Sequence, residues 1–181
     1  DSVLSRGLGD VYKRQVLWIA ILISMMLATE DIFSEDYNDG SLEQTLIKNP
    51  SFSIIIVTKI FTYWLLIGLP ISILSFVFSL GTTEDLSLSL SILPLAIISS
   101  YIFLNLFVLG NALSLNKGSV LGALVTMPLA LPVLIVLGKG LIAIQLDINY
   151  QSFIFLLLGS LSIIIVAIPI LVSYVIKAHL E

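Results

Sequence analysis

Strongly polar chemistry is scarce in this 181-residue chain: twelve carboxylates, eight basic side chains and one histidine. Six of the carboxylates, Glu30, Asp31, Glu35, Asp36, Asp39 and Glu43, fall in a single stretch of fourteen residues. The rest of the composition excludes many site chemistries, because the residues they need are absent. With no cysteine, thiolate zinc, iron–sulfur ligation, disulfides and a Cys nucleophile are excluded. His179, the single histidine, stands two residues from the end, so neither HExxH nor a paired-His site can be assembled. No GxxxxGK[ST] phosphate loop occurs. A net charge of -4 without a basic patch argues against nucleic acid as a partner. No catalytic residue, metal ligand or cofactor-binding residue is expected.

That stretch, EDIFSEDYNDGSLEQTLIKN from Glu30 to Asn49, is closed by Pro50. Asn38, Asp39 and Gly40 form a turn signal, and Ser41 followed three residues later by Gln44 fits a capping box. A short helix is expected from Leu42 to about Lys48, with Leu42, Leu46 and Ile47 on one side and Glu43, Gln44 and Lys48 elsewhere. It is too short to span a membrane and is expected on or below the membrane surface. Three polar residues lie in apolar surroundings. Lys59 opens the KIFTYW segment and reads either as a charge in a transport path or as a lysine snorkelling to the interface beside Tyr63 and Trp64 of an aromatic belt. Asn105 and Asn111 are amides that lipid would leave unpaired, so they should face other helices or a cavity. All three are candidates for intramembrane polar contacts. Gly118 and Gly122 make a GxxxG suited to close helix contact. Pro70 after Gly68, the pair Pro128 and Pro132, and Pro169 are expected to kink their helices.

The elements that must position these residues are membrane helices. The chain is 58% hydrophobic and 11% charged with a mean hydropathy of +1.12, against roughly 25% charge in soluble domains. Charge-free runs cover residues 60–83, 86–116, 118–138 and 148–176, each long enough to cross about 30 Å of hydrocarbon as a helix. The fold class is therefore all-α, a polytopic membrane helix bundle. Spans are expected at about Ile54–Leu80, Leu88–Leu113, Val120–Leu137 and Ser152–Ile176, with Glu84 and Asp85, Lys117, and then Lys139 with Asp147 in the loops between them. Residues 1–15, DSVLSRGLGDVYKRQ, read as a non-native leader, with a native basic juxtamembrane segment as the alternative. Residues 16–181 read as one transmembrane domain. Its first run, Val16–Thr29, is only fourteen residues long, which reads as part of a span continued upstream. With the leader set aside, Lys48, Lys59, Lys117 and Lys177 lie on one side and Lys139 on the other, which places the acidic loop, residues 30–50, and the C-terminal end in the cytoplasm.

From Glu30 to Pro70 the sequence resembles the CcmB family of cytochrome c maturation proteins, the haem exporter B permeases of ABC-2 type. The similarity rests on an acidic approach to DGSLEQ (Asp39–Gln44), a leucine-rich turn ending in a proline, then a lysine, an aromatic–Trp pair and GLP. The LVTMPLALPVLIV segment around Pro128 and Pro132 is similar to the family's fifth span. The resemblance implies about five of the family's six spans and a coupling helix over Ser41–Lys48. The implied ATPase-coupling interface is Glu35, Asp36, Asp39, Gly40, Ser41, Leu42, Glu43, Gln44 and Leu46. It also implies a non-catalytic permease subunit whose partners are a CcmA-like ATPase that hydrolyses ATP, a CcmC-like haem-handling protein and a small CcmD-like subunit, leaving room for a homodimer. Their joint work is linked to release of the haem-loaded chaperone CcmE. Haem would be handled by those partners, since haem iron is held by His, Met, Cys or Tyr and Met25, Met26 and Met127 read as packing residues. The membrane implied is the bacterial inner (plasma) membrane, or the mitochondrial inner membrane for an organellar source. Where the family has two adjacent basic residues before the fifth span, this chain has only Lys117. The rival readings are an ABC-2 permease for a lipid, glycan or drug, and an ATP-independent channel or carrier, which would need pathway charges that the later spans lack.

Overall fold

The computed structural model describes residues 22–30, 32–48, 52–83, 85–115 and 119–180, and every regular element among them is helical. The leader, Asp31, Glu84, Lys117 and Gly118 lie outside the described residues. Helical backbone over residues 22–28 (α1) leads into two short helices, α2 (Ser34–Asn38) and α3 (Ser41–Lys48). Then come α4 (Phe52–Tyr63), a π-helical turn (Trp64–Gly68), α5 (Leu69–Thr83), α6 (Leu86–Ser114), α7 (Ser119–Gln145) and α8 (Gln151–Leu180). Among the described residues, four stretches are long and apolar enough to cross a membrane: Phe52–Gly81, Leu86–Ser114, Leu124–Gln145 and Gln151–Leu180. The four expected spans are thus present as helices.

The second of these is the axis of the bundle, since 78% of its apolar window is buried, against 17% to 33% for the other three. α5 and α7 run antiparallel to it. On α5, Ser72 and Ser79 meet Ser100 and Ser89 of α6 at 3.0 Å and 3.3 Å. On α7, Gly122 lies against Gly110 of α6, and further along Gly140 lies against Leu95. One end of the bundle therefore carries α2, α3 and the last turns of α6 and α8. The other carries the α5–α6 and α7–α8 connections, where the Tyr150 hydroxyl donates to Ser91 at 3.3 Å.

Inside lipid, apolar burial gives helices no hydrophobic reason to associate, so close backbone approach and hydrogen bonding must supply it. The α6–α7 contact is built that way. Gly110 and Ser114 on α6 interlock with Gly122 and Thr126 on α7, and each hydroxyl is turned back onto its own helix's glycine carbonyl, at 2.8 Å and 2.9 Å. A methyl group on Gly122 would collide with the Gly110 carbonyl and with Ser114. Gly122 thus serves close contact as expected, but its partner comes from α6.

Two expectations are corrected. Lys139 does not lie in a loop: α7 continues past it to Gln145. Ending a helix inside hydrocarbon would leave carbonyls unpaired, whereas one exposed lysine can carry its charge to the interface on its four-carbon stem. The helix stops at Gln145, and the turn after it is closed by Ile148 N–H donating to Ala143 O (2.9 Å) and Asp147 N–H to Ile144 O (3.3 Å), with Asp147 at φ 54. Second, Trp64 is not a belt residue. Its indole N–H donates to Ser100 at 3.0 Å and its ring meets Tyr101 edge-on at 5.3 Å. Trp64 opens the π-helical turn that precedes Pro70. A proline ring presses on the carbonyl four residues earlier, here Leu66, and a wider turn relieves that pressure.

Candidate functional site

The acidic stretch folds as a compact cap on one end of the bundle. Ile32, Phe33 and Leu42 are buried in the main hydrophobic core, and Leu46 and Tyr37 pack partly against it. Outside the membrane such burial does stabilise, at roughly 1.5–3 kcal/mol for each large apolar side chain. Gly40 reverses the chain between α2 and α3 at φ +75, the left-handed conformation that glycine adopts without strain.

The capping box does not form. Ser41 is already the first residue of α3, and its hydroxyl donates to the carbonyl of Asp36, in the middle of α2, at 3.2 Å. The left-handed turn at Gly40 brings Ser41 into the first turn, where side chains lean back toward the preceding segment. Asp39 does the capping instead, its Oδ1 accepting the Ser41 N–H at 2.9 Å. That N–H above all, with the Ser41 hydroxyl and the positive charge of Lys59, holds the Asp39 carboxyl below the usual aspartate range.

α3 forms where expected, but its apolar residues do not share one face. Leu42 is 5% exposed and faces this chain's own core, Leu46 is half-buried, and Ile47 is 74% exposed. At 100° per residue, Leu42 and Leu46 align while Ile47 is rotated away from both. The outward side of the cap therefore presents Glu35, Asp39, Glu43, Gln44, Ile47 and Lys48. Among the described residues no group of His, Cys, Asp and Glu is arranged to hold a metal ion.

Lys59 pairs with Asp36: its ammonium donates to Asp36 Oδ2 and lies 5.2 Å from the centre of the Phe33 ring. It thus neither points into a path through the membrane nor snorkels alone to the interface; it ties α4 to the acidic cap. Asn111, near the end of α6, also reaches the cap. Its Oδ1 accepts the Phe33 N–H at 3.2 Å, and its Nδ2 donates to the Glu30 carbonyl. Asn105 stays within its own helix, with Nδ2 donating to Tyr101 O at 2.8 Å, and it is 1% exposed with Oδ1 unpartnered. The structure therefore brings Asp36, Lys59 and Asn111 to one place and leaves Asn105 apart. Phe33, which joins the two anchoring points, was not singled out from the sequence, where it is one aromatic among acids. Met25 is fully buried while Met127 is 55% exposed on α7, and the His179 ring nitrogen Nδ1 lies 2.8 Å from Val175 O of its own helix.

Comparison with known proteins places these features in a family. The family described as CcmB protein matches residues 10–180, beginning inside the segment 1–15. Heme exporter protein B of Haemophilus influenzae is 31% identical over 137 residues, which cover 75% of this chain and 62% of that protein. Heme exporter protein B of Pseudomonas aeruginosa is 31% identical over 138 residues, 73% of this chain and 60% of that protein. The protein of the same name from Escherichia coli K12 is 38% identical over 60 residues, 33% of this chain and 27% of its own length. The aligned part of this chain thus spans about three-fifths of the length of the first two.

Proposed function

The chain belongs to the CcmB family, and on that premise we propose that it is the membrane permease subunit of an ABC-type complex that handles haem for cytochrome c maturation. In this reading it hydrolyses nothing itself. A separate CcmA-like subunit hydrolyses ATP, and α3 is the element through which that ATPase moves the membrane assembly. CcmC-like and CcmD-like subunits complete the complex, and a second copy of this chain is compatible with it. The name of the relatives supports haem as the cargo.

The observation that carries this reading is the state of α3. It is an eight-residue helix seated on the bundle by Leu42, capped by Asp39, and open on its outer side at Glu43, Gln44, Ile47 and Lys48. An amphipathic helix fixed on one face and free on the other can enter a groove in a soluble partner. The docking residues are accordingly the outward ones, with Glu35 and Asp39 beside them, whereas Leu42 and Leu46 seat the helix on its own chain.

Replacing Glu43 with Lys and Ile47 with Asp together should lower the ATPase recovered with the chain from detergent extracts by about tenfold or more, the size expected from losing a central interface contact. The altered chain should remain in the membrane, because neither side chain is buried. Full retention of the ATPase would remove α3 as the docking element. Haem is assigned to the partner subunits because the chain has no cysteine and one histidine; purified alone it should show no stoichiometric haem absorption, and a one-to-one haem spectrum would overturn that assignment. The α2–α3 end is assigned to the cytoplasm, since Lys48, Lys59 and Lys177 lie at that end and Lys139 toward the other. The membrane is the bacterial inner membrane, or the mitochondrial inner membrane in an organelle.

A further inference from the structure

Downstream, a docked α3 leads into α4, and α4 begins a span whose apolar window is just 22% buried. Force delivered in that direction along the chain would therefore reach a largely lipid-facing helix first. The cap, however, is held at two further points. Asn111 of α6 engages two backbone groups on either side of a tight turn, accepting from Phe33 N–H and donating to Glu30 carbonyl. Using both ends of one amide on two backbone sites resists sliding and rotation together. Lys59 of α4 holds the Asp36 carboxylate and faces the Phe33 ring. Phe33, 1% exposed, is thus gripped through its backbone by α6 while its ring faces Lys59 of α4. The bonds to Asn111 span 78 and 81 residues of sequence, so they tie together parts of the chain that are far apart in sequence.

We propose that Asn111 and the Asp36–Lys59 pair are positioning residues that clamp the acidic cap to α6 and α4 at once, so that movement imposed on α3 reaches the most buried helix of the bundle directly. This rests on the reading of α3 as the element that meets the ATPase. It assigns to α6, whose window is 78% buried and which packs against α5, α7 and α8, the role of distributing the movement. The outward residues of α3 dock, and the three clamp residues transmit.

The test uses the full chain with its ATPase and partner subunits in cells lacking the native permease gene. Asn111→Leu removes both amide bonds. The altered chain should reach the membrane and retain the ATPase to within about twofold of the unaltered chain, while cytochrome c maturation falls about tenfold, the order expected for losing two hydrogen bonds. Asp36→Lys alone and Lys59→Asp alone should behave in the same way, and the two combined, which restore an ion pair of reversed polarity, should recover most of the maturation. A cysteine at Ile32, which is 2% exposed in a chain with no other cysteine, should be labelled by a thiol reagent about tenfold faster when Asn111→Leu is added. If Asn111→Leu fails to accumulate, Asn111→Asp carries the same expectations, since it keeps the shape and the acceptor but loses the donor. Normal maturation with either Asn111 variant, or a charge reversal no better than its single changes, overturns the clamp. Loss of the ATPase from the Asn111 variants also overturns it, because the residue would then act in docking. An unaltered chain that never retains the ATPase brings down the reading of α3, and the clamp with it, so the two failures are told apart.

Discussion

Gly40 has room for a side chain and yet cannot accept one freely: nothing lies within 4 Å of a Cβ built there, but its φ is +75. The penalty for alanine is therefore conformational, about 1–2 kcal/mol for a left-handed residue, and asparagine, which tolerates that region, should lose less. Because the Gly40 carbonyl accepts the Gln44 N–H at 3.3 Å and Asp39 caps Ser41, the strain falls on the first turn of α3. Gly40→Ala should speed amide exchange in α3, with Gly40→Asn between it and the unaltered chain; three equal rates would show that the turn does not need its left-handed residue. The neighbouring Ser41 marks the limit of motif reading. Its spacing to Gln44 satisfies the box, but the turn at Gly40 fixes where the helix begins, and the hydroxyl goes to Asp36. Asp36 and Lys59 were each visible as charges, whereas their pairing across 23 residues depends on how α2 lies against α4, which no local pattern encodes.

Between elements, the tightest test is the α6–α7 seam. Gly122→Ala would press a methyl group onto backbone and must part the two helices, for a loss of about 1–3 kcal/mol, as overpacking usually gives. Gly159 supplies the control, because it is exposed in α8 with open space around it. There alanine should be neutral or stabilise by up to about 1 kcal/mol through helix propensity. Melting temperatures in detergent should fall for the first change and hold or rise for the second, and equal effects would mean that the seam is not a close contact. In the sequence Gly122 stood out through its spacing from Gly118. The Gly110–Ser114 and Gly122–Thr126 pairs share the same four-residue spacing on two helices, which a search for glycine alone passes over. The far end of α7 was hidden for a different reason: a charge count stops at Lys139, but a helix in lipid stops only where its carbonyls find partners.

For the molecule as a whole, the number and order of the described spans could be read from runs of uncharged residues, because a bilayer penalises charge strongly enough to mark the ends of most helices. Which helix becomes the axis could not, since all four candidates have similar mean hydropathies, from 2.0 to 2.8, and lipid and protein interior are both apolar surroundings. Orientation follows a third rule, the bias of lysine and arginine toward the cytoplasmic side. At the α3 end the described lysines are Lys48, Lys59 and Lys177, while Lys139 stands six residues before the far end of α7 and Asp85 and Asp147 lie at that far end. The absence of native cysteine makes this side assignment directly measurable with single cysteines at exposed positions. In intact bacterial cells an impermeant thiol reagent should label a cysteine at Asn149, in the α7–α8 connection, and spare one at Glu43 or Lys177 until the membrane is opened. Glu43 and Lys177 lie on separate elements at one end of the bundle, so they must agree with each other and differ from Asn149. Labelling of Glu43 and Lys177 with protection of Asn149 would turn the bundle over, placing α3 on the side where no ATP is available and removing the basis for an ATPase partner.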